Sequence, residues 1–531
     1  MISDTYTTAL RALLFALAGL AAHTAAGCAR CHTFDTHLFS PAHALFAQDC
    51  ARCHAGDASA AAEADAHRGL ISYPGDGDSA DRVCGGCHAD KVAGIAHSLM
   101  RTGSGLVATT RRVFGESVER PDHDDLSHLT QSPADSLLRE QCATCHLDRN
   151  KTAHRLDPTL DRGGGCLACH INEQTPGIHP ALSAQVSDAR CFGCHSRSGR
   201  VALSYAGLAE TDAGATAAGT LDDGRRVIYK PADRHHAAGM GCIDCHTEGD
   251  LMNLSDGPTP VSQRDAVDIG CEDCHRITRT IGLSQWPTRY RALRPRIPFP
   301  TDLNTRIAVT AKGTPLWHIE LKQNDAWLHI KRTGDRVRIP PYRASDHPLA
   351  REHARLTCSA CHATWAPQCH GCHLDYKTDG RPGDPTQGQP TPGHWDSLQS
   401  DVRSDPPPLG VRADDRVVPV VPGMILSVSH PDWKQPLFNR RFAALDPHTT
   451  GPARGCVSCH RSSTALGLGE GDVELNSDGT IAFKPKHPPL QDGLPADAWT
   501  GIEKTGTNDS AADVRPLSQA EIRRVLAAPI Q

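Results

Sequence analysis

Aromatic residues make up only 5% of this chain and the whole hydrophobic class only 39%, a thin supply for the interior of 531 residues. Methionine is scarce at five, so thioether sulfur is a minor ligand source. Beyond the first two dozen residues no apolar run is long enough to cross a membrane. No cysteine stands alone: all 22 fall into eleven Cys-x-x-Cys pairs, each followed directly by histidine. That pattern excludes a disulfide scaffold and a lone catalytic cysteine. It also argues against zinc ribbons, which need four ligands apiece and no histidine after every second cysteine. Iron-sulfur proteins space their cysteines differently.

The motifs, in chain order, are Cys28, Cys31, His32; Cys50, Cys53, His54; Cys84, Cys87, His88; Cys142, Cys145, His146; Cys166, Cys169, His170; and Cys191, Cys194, His195. They continue with Cys242, Cys245, His246; Cys271, Cys274, His275; Cys358, Cys361, His362; Cys369, Cys372, His373; and Cys456, Cys459, His460. Two thiols three residues apart add across the two vinyl groups of a haem, and the adjacent histidine lies under its iron. The expected cofactor is therefore heme c, eleven copies, covalently bound through the cysteines, with iron held by the motif histidines. The porphyrins would fill the space that the sparse side chains leave.

Of 31 histidines, eleven sit in motifs and twenty do not. Eleven distal ligands drawn from these twenty would make every iron bis-histidine. The candidates are His43, His67, His97, His128, His154, His179, His236, His353, His394, His430 and His448. Two imidazoles favour ferric iron, so the set would be low in potential. No motif carries lysine in place of its histidine, which removes one mark of the pentahaem nitrite reductases. Tyr205 and Tyr229 do not by themselves define a tyrosine-linked catalytic haem.

The start of the chain reads as a signal peptide over 1–26. Arg11 precedes the apolar run Ala12 to Ala22, and the small residues Ala25, Ala26 and Gly27 follow. Export to the periplasm, the outer-membrane surface or the extracellular space is expected. The motif spacing is uneven, which excludes a solenoid of equal repeats. It divides the chain into an N-terminal trihaem region 27–110, a pentahaem region 111–275 and a haem-free insertion 276–357. A C-terminal trihaem region 358–460 follows, containing the haem-free stretch 374–455, and then a haem-free tail 461–531. The expected fold class is a loop-rich multihaem cytochrome c of mostly short helices around a haem chain. A small antiparallel β element is expected near 305–340, where hydrophobic residues alternate. The Pro- and Gly-rich stretch 374–455 reads as ordered loop. A short helix is expected over Ser518 to Ala528.

Formal charge is −6. Haem propionates would carry it to about −17 oxidised and about −28 reduced. Nucleic acid is then excluded as a partner. Redox proteins, an outer-membrane conduit, ferric iron or mineral, or further copies in a filament fit better.

With eleven motifs and an export signal, the chain resembles the bacterial multihaem c-type cytochromes, in particular the undecahaem and decahaem proteins of extracellular electron transfer. The resemblance implies electron transfer along closely packed bis-histidine haems to or from extracellular acceptors or donors. Two alternatives accompany it. One is an oxidoreductase with one open catalytic haem, acting on nitrogen or sulfur oxyanions. The other is a subunit of an extracellular cytochrome filament.

Overall fold

The computed structural model describes residues 27–530, apart from 33–39, 41–42, 48, 119–123, 148, 152–160, 173–180, 198, 212–215, 255–261, 324, 382, 384–389, 399–400 and 504–512. Residues 1–26, where a signal peptide is expected from the sequence, and His154 and His179 lie outside the described residues.

Up to the Cys271 motif the chain is built mainly from short helices. Gly77–Val83 and Gly85–Ala96 carry the Cys84 motif, and Ser104–Val113 and Pro133–Leu137 pack against each other. Arg111 on Ser104–Val113 is bonded through Nε and Nη2 to Asp135 at 2.8 Å each, and also reaches Asp124. All three residues are buried. This charge cluster fastens two helices that also share an apolar contact through Val113, Ala134 and Leu137. Within this half lies one three-stranded sheet, ordered Leu208–Glu210, Arg226–Tyr229, Gly219–Thr220.

From residue 280 onward strands dominate. Thr280–Gly282 pairs with Arg306–Ala308. Ile319–Lys322, Asp325–His329 and Arg336–Ile339 form an antiparallel sheet in the region where alternation predicts one. Ala366–His370 pairs with Asp401–Asp405, and Gly471–Leu475 with Ile481–Pro485. The largest sheet has six strands. Its order is His394–Leu398, Cys372–Lys377, Val417–Ser429, Leu409–Arg412, Val514–Pro516, with Leu437–Ala444 also paired to Val417–Ser429. The pairing of Cys372–Lys377 with Val417–Ser429 is parallel.

The expected fold class is corrected here. The molecule is a mixed α/β protein with six sheets, not a loop-rich helical wrap with one small β element. The stretch 374–455, expected to be loop, supplies most of the largest sheet. The reason is local. Val417–Ser429 is a run of β-branched and aliphatic residues whose prolines are tolerated, and the register shifts between Pro422 and Met424. The proline count masked that run.

This sheet carries its own core. Val418, Val420, Ile425 and Phe442 pack with Trp499. Leu409, Val411 and Val417 pack with Leu466, Leu468 and the C-terminal helix Gln519–Ala527 through Ile522 and Leu526. That helix starts at Ser518, whose hydroxyl accepts from Glu521 N while the Glu521 carboxylate takes Ser518 N.

Candidate metal centres

The motifs share a local geometry. In most of them the backbone N–H of the histidine bonds to the carbonyl of the first cysteine, at 2.9 Å for His54, His88 and His246 and 2.8 Å for His460. One helical turn then sets both thiols on one face with the imidazole beside them. The motif of Cys369 departs from this. Its first half lies on Ala366–His370 and its second on Cys372–Lys377, so it runs across two strands.

Six motif histidines face a second imidazole. The ring centroids are 5.8 Å apart for His32 and His67, 6.2 Å for His43 and His88, and 6.1 Å for His235 and His275. They are 6.2 Å apart for His246 and His448, 6.3 Å for His347 and His362, and 6.0 Å for His353 and His460. Two imidazoles bound on opposite sides of one metal at about 2.0 Å per nitrogen have centroids about 6.2 Å apart; at a tetrahedral angle the separation falls to about 5 Å. The observed spacings match the opposed arrangement.

The outer nitrogens support this. Nδ1 of His275 bonds to the Pro340 carbonyl at 2.7 Å and Nδ1 of His235 to Asp233 at 2.8 Å. Nδ1 of His362 meets the Gly451 carbonyl at 2.9 Å and Nδ1 of His347 the Arg343 carbonyl at 2.9 Å. His460 and His353 use the carbonyls of Val525 and Leu349, and His246 and His448 use Asp250 and the Asp446 carbonyl. In these four pairs both Nδ1 atoms are engaged, which orients each ring and leaves Nε2 for a metal. Burial pulls the His246 pKa down, but Asp250 outweighs it and the net shift is upward.

A cavity of about 3120 Å³ runs between the motifs of Cys84, Cys142, Cys166, Cys191 and Cys242 and is bordered by their cysteines and histidines. Burial raises the thiols along it: Cys142 is pushed up to about 11, and Cys169 and Cys245 to about 12. His43, His97, His318, His329 and His448 also line it.

The other predicted ligands stand elsewhere. His128 is bonded through Nδ1 to Asp125 at 2.8 Å on the surface. His394 bonds to the Asp379 carbonyl at 2.8 Å. His430 sits among Tyr376, Trp395 and Trp433, at 4.6, 6.0 and 5.3 Å between centroids. His236 meets the edge of Tyr205, while its neighbour His235 takes the place opposite His275. His235 and His347 were not among the candidates. The Asp233 carboxylate two residues before His235 was the available signal.

No family model, curated protein or solved structure matches the chain. The six sheets among the described residues overturn the architecture that the resemblance to the bacterial multihaem or undecahaem cytochromes implied, and that membership does not stand. The inventory of eleven heme c groups, and the extracellular electron conduit, open-haem reductase and cytochrome filament built on it, are corrected to what the described side chains show. Those are six facing imidazole pairs and one compact set of metal-ligating residues, Glu470, His487 and Asp497, outside every motif. The eleven Cys-x-x-Cys-His segments remain a fact of the sequence.

The compact set is already satisfied by cations. Arg403 donates to Asp497 at 2.8 Å and to Nε2 of His487 at 2.8 Å, and Lys486 reaches Glu470 at 2.6 Å. Arg403 holds the lone pair that a metal would need, so the cluster is an ion-pair network. Among the described residues no helix is long and apolar enough to cross a membrane.

Proposed function

We propose that the chain is a multi-centre metal-binding protein in which opposed histidine pairs supply two ligands per metal and each neighbouring cysteine pair anchors the group carrying it. The observation that carries this reading is the set of six imidazole pairs at 5.8–6.3 Å, with Nδ1 of both rings engaged in four of them. Each such pair would hold a metal through two imidazole nitrogens and would leave its other ligands to be supplied from elsewhere. Among the described residues no set of three or more Cys, His, Asp or Glu side chains includes one of these pairs, so a non-protein group would supply the remaining donors. The large cavity, lined by the cysteines of five motifs, gives such groups room.

The test is metal analysis and intact mass of the purified chain, followed by denaturation in a chelator. Metal retained by the unfolded chain, with added mass on motif peptides, supports thiol-anchored groups. Metal stripped completely, with unmodified cysteines, rejects the anchoring role. The axial assignment is checked separately: His448→Ala should alter the ligand-field spectrum of the centre at His246 and leave that at His460 unchanged.

A further inference from the structure

We propose that the motifs form a branched row in space, with the Cys191 motif as its three-way junction; this rests on the metal-centre reading above. The row is traced by direct contacts. The helix Ala51–His54 of the Cys50 motif packs against Gly77–Val83, which leads into Cys84. Cys166 N bonds to the Gly75 carbonyl at 2.9 Å, joining the Cys84 and Cys166 motifs. Gly165 makes this approach possible: its φ is +54° and an added Cβ would collide with the Gly75 carbonyl. Further along, the Cys271 and Cys358 thiols share a hydrogen bond. Arg454 N, just before the Cys456 motif, donates to the Cys361 carbonyl at 2.8 Å.

Three neighbours meet the Cys191 motif. Its helix Asp188–His195 packs against Leu167–His170 of the Cys166 motif. Asp188 accepts from Cys242 N at 2.8 Å, and the Cys191 and Cys242 thiols are hydrogen-bonded. On the other side the Cys194 thiol contacts the Cys145 carbonyl at 3.4 Å. The Cys142 motif thus hangs off the row as a branch. It lies beside the step between the Cys166 and Cys191 motifs, since Gly165 N also bonds to the Leu147 carbonyl at 2.9 Å. All four motifs open onto the same cavity, so the group held at Cys191 forms a wall for three others.

The experiment compares two double variants in the full chain by per-motif occupancy from peptide mass mapping and by metal per chain. Removing a terminal anchor pair, Cys456→Ala with Cys459→Ala, should cost one centre. Removing the junction pair, Cys191→Ala with Cys194→Ala, should cost its own centre and lower occupancy at the Cys142, Cys166 or Cys242 motif as well. Loss confined to one centre in both variants overturns the junction while leaving metal binding intact. A wild-type chain with no metal or adduct at any motif overturns the metal-centre reading itself, and the junction with it. Should the double variant fail to fold, Asp188→Ala removes the acceptor of Cys242 N and leaves every cysteine in place. It should lower occupancy there and not at Cys28 or Cys456, and an even loss across all three motifs contradicts the layout.

Discussion

The two halves of the molecule solve the problem of an interior differently. The motif segments between Ser40 and Gly334 supply most of the lining of a cavity of about 3120 Å³, which the edge of the other half closes through residues such as Met424, Phe442 and His448. Polar groups such as Arg111 with Asp124 and Asp135 help to fasten these segments. Beyond residue 405 the chain closes on itself. Val420, Leu468 and Ile522 are completely buried, and a six-stranded sheet joins them. A half that encloses space depends on what fills the space. A half that packs its own side chains does not.

The largest expected effect follows from that contrast. Under the metal-centre proposal, chain prepared without metal should lose amide-exchange protection across 84–275 and keep it in the strands Val417–Ser429 and Leu437–Ala444. Equal loss in both halves would erase the distinction. Next in size, Arg440→Met should destabilise the sheet half by about 3–5 kcal/mol in denaturant melts, since it removes the ion pair to Asp492 and the contacts to the carbonyls of Pro495 and Ala498. Leu468→Ala in the same half should cost about 2–5 kcal/mol, with metal content unchanged.

A smaller effect is set by pH. Burial raises the Glu521 pKa, but Arg515, Ser518 and Arg355 outweigh it and hold the carboxyl down to about 2, against 4.5 ordinarily. A depressed carboxyl stabilises the fold above its unfolded pKa. That contribution should fade as pH falls from 4.5 toward about 2. Acid melts of wild type and Glu521→Gln should converge at the bottom of this window. The smallest change is Ser518→Ala, expected to cost about 1 kcal/mol through the lost helix cap.

Legibility in the sequence followed the same division. The motif positions were plain because their spacing is local. The helix at Ser518 was plain because its capping residues are adjacent to it, and the alternation at 305–340 marks strands without help from distant residues. The large sheet was hidden. Its central strand carries Pro419 and Pro422, which punctuate a sequence as turns, and its neighbours come from as far away as Val514–Pro516. Histidine pairing was hidden for a related reason: what selects His235 over His236 is which ring stands opposite His275, and that depends on tertiary approach.

The facing pairs also impose an order in time. His32 and His67 lie close together near the beginning, so their centre can be completed once the first stretch of chain has emerged. His246 waits for His448, and His88 uses His43, which precedes it. An emerging chain therefore finishes its first centres early and holds the one at His246 half-made until most of the polypeptide has followed. Metal delivered to the His246 pair as the chain emerges would meet a single imidazole until His448 follows.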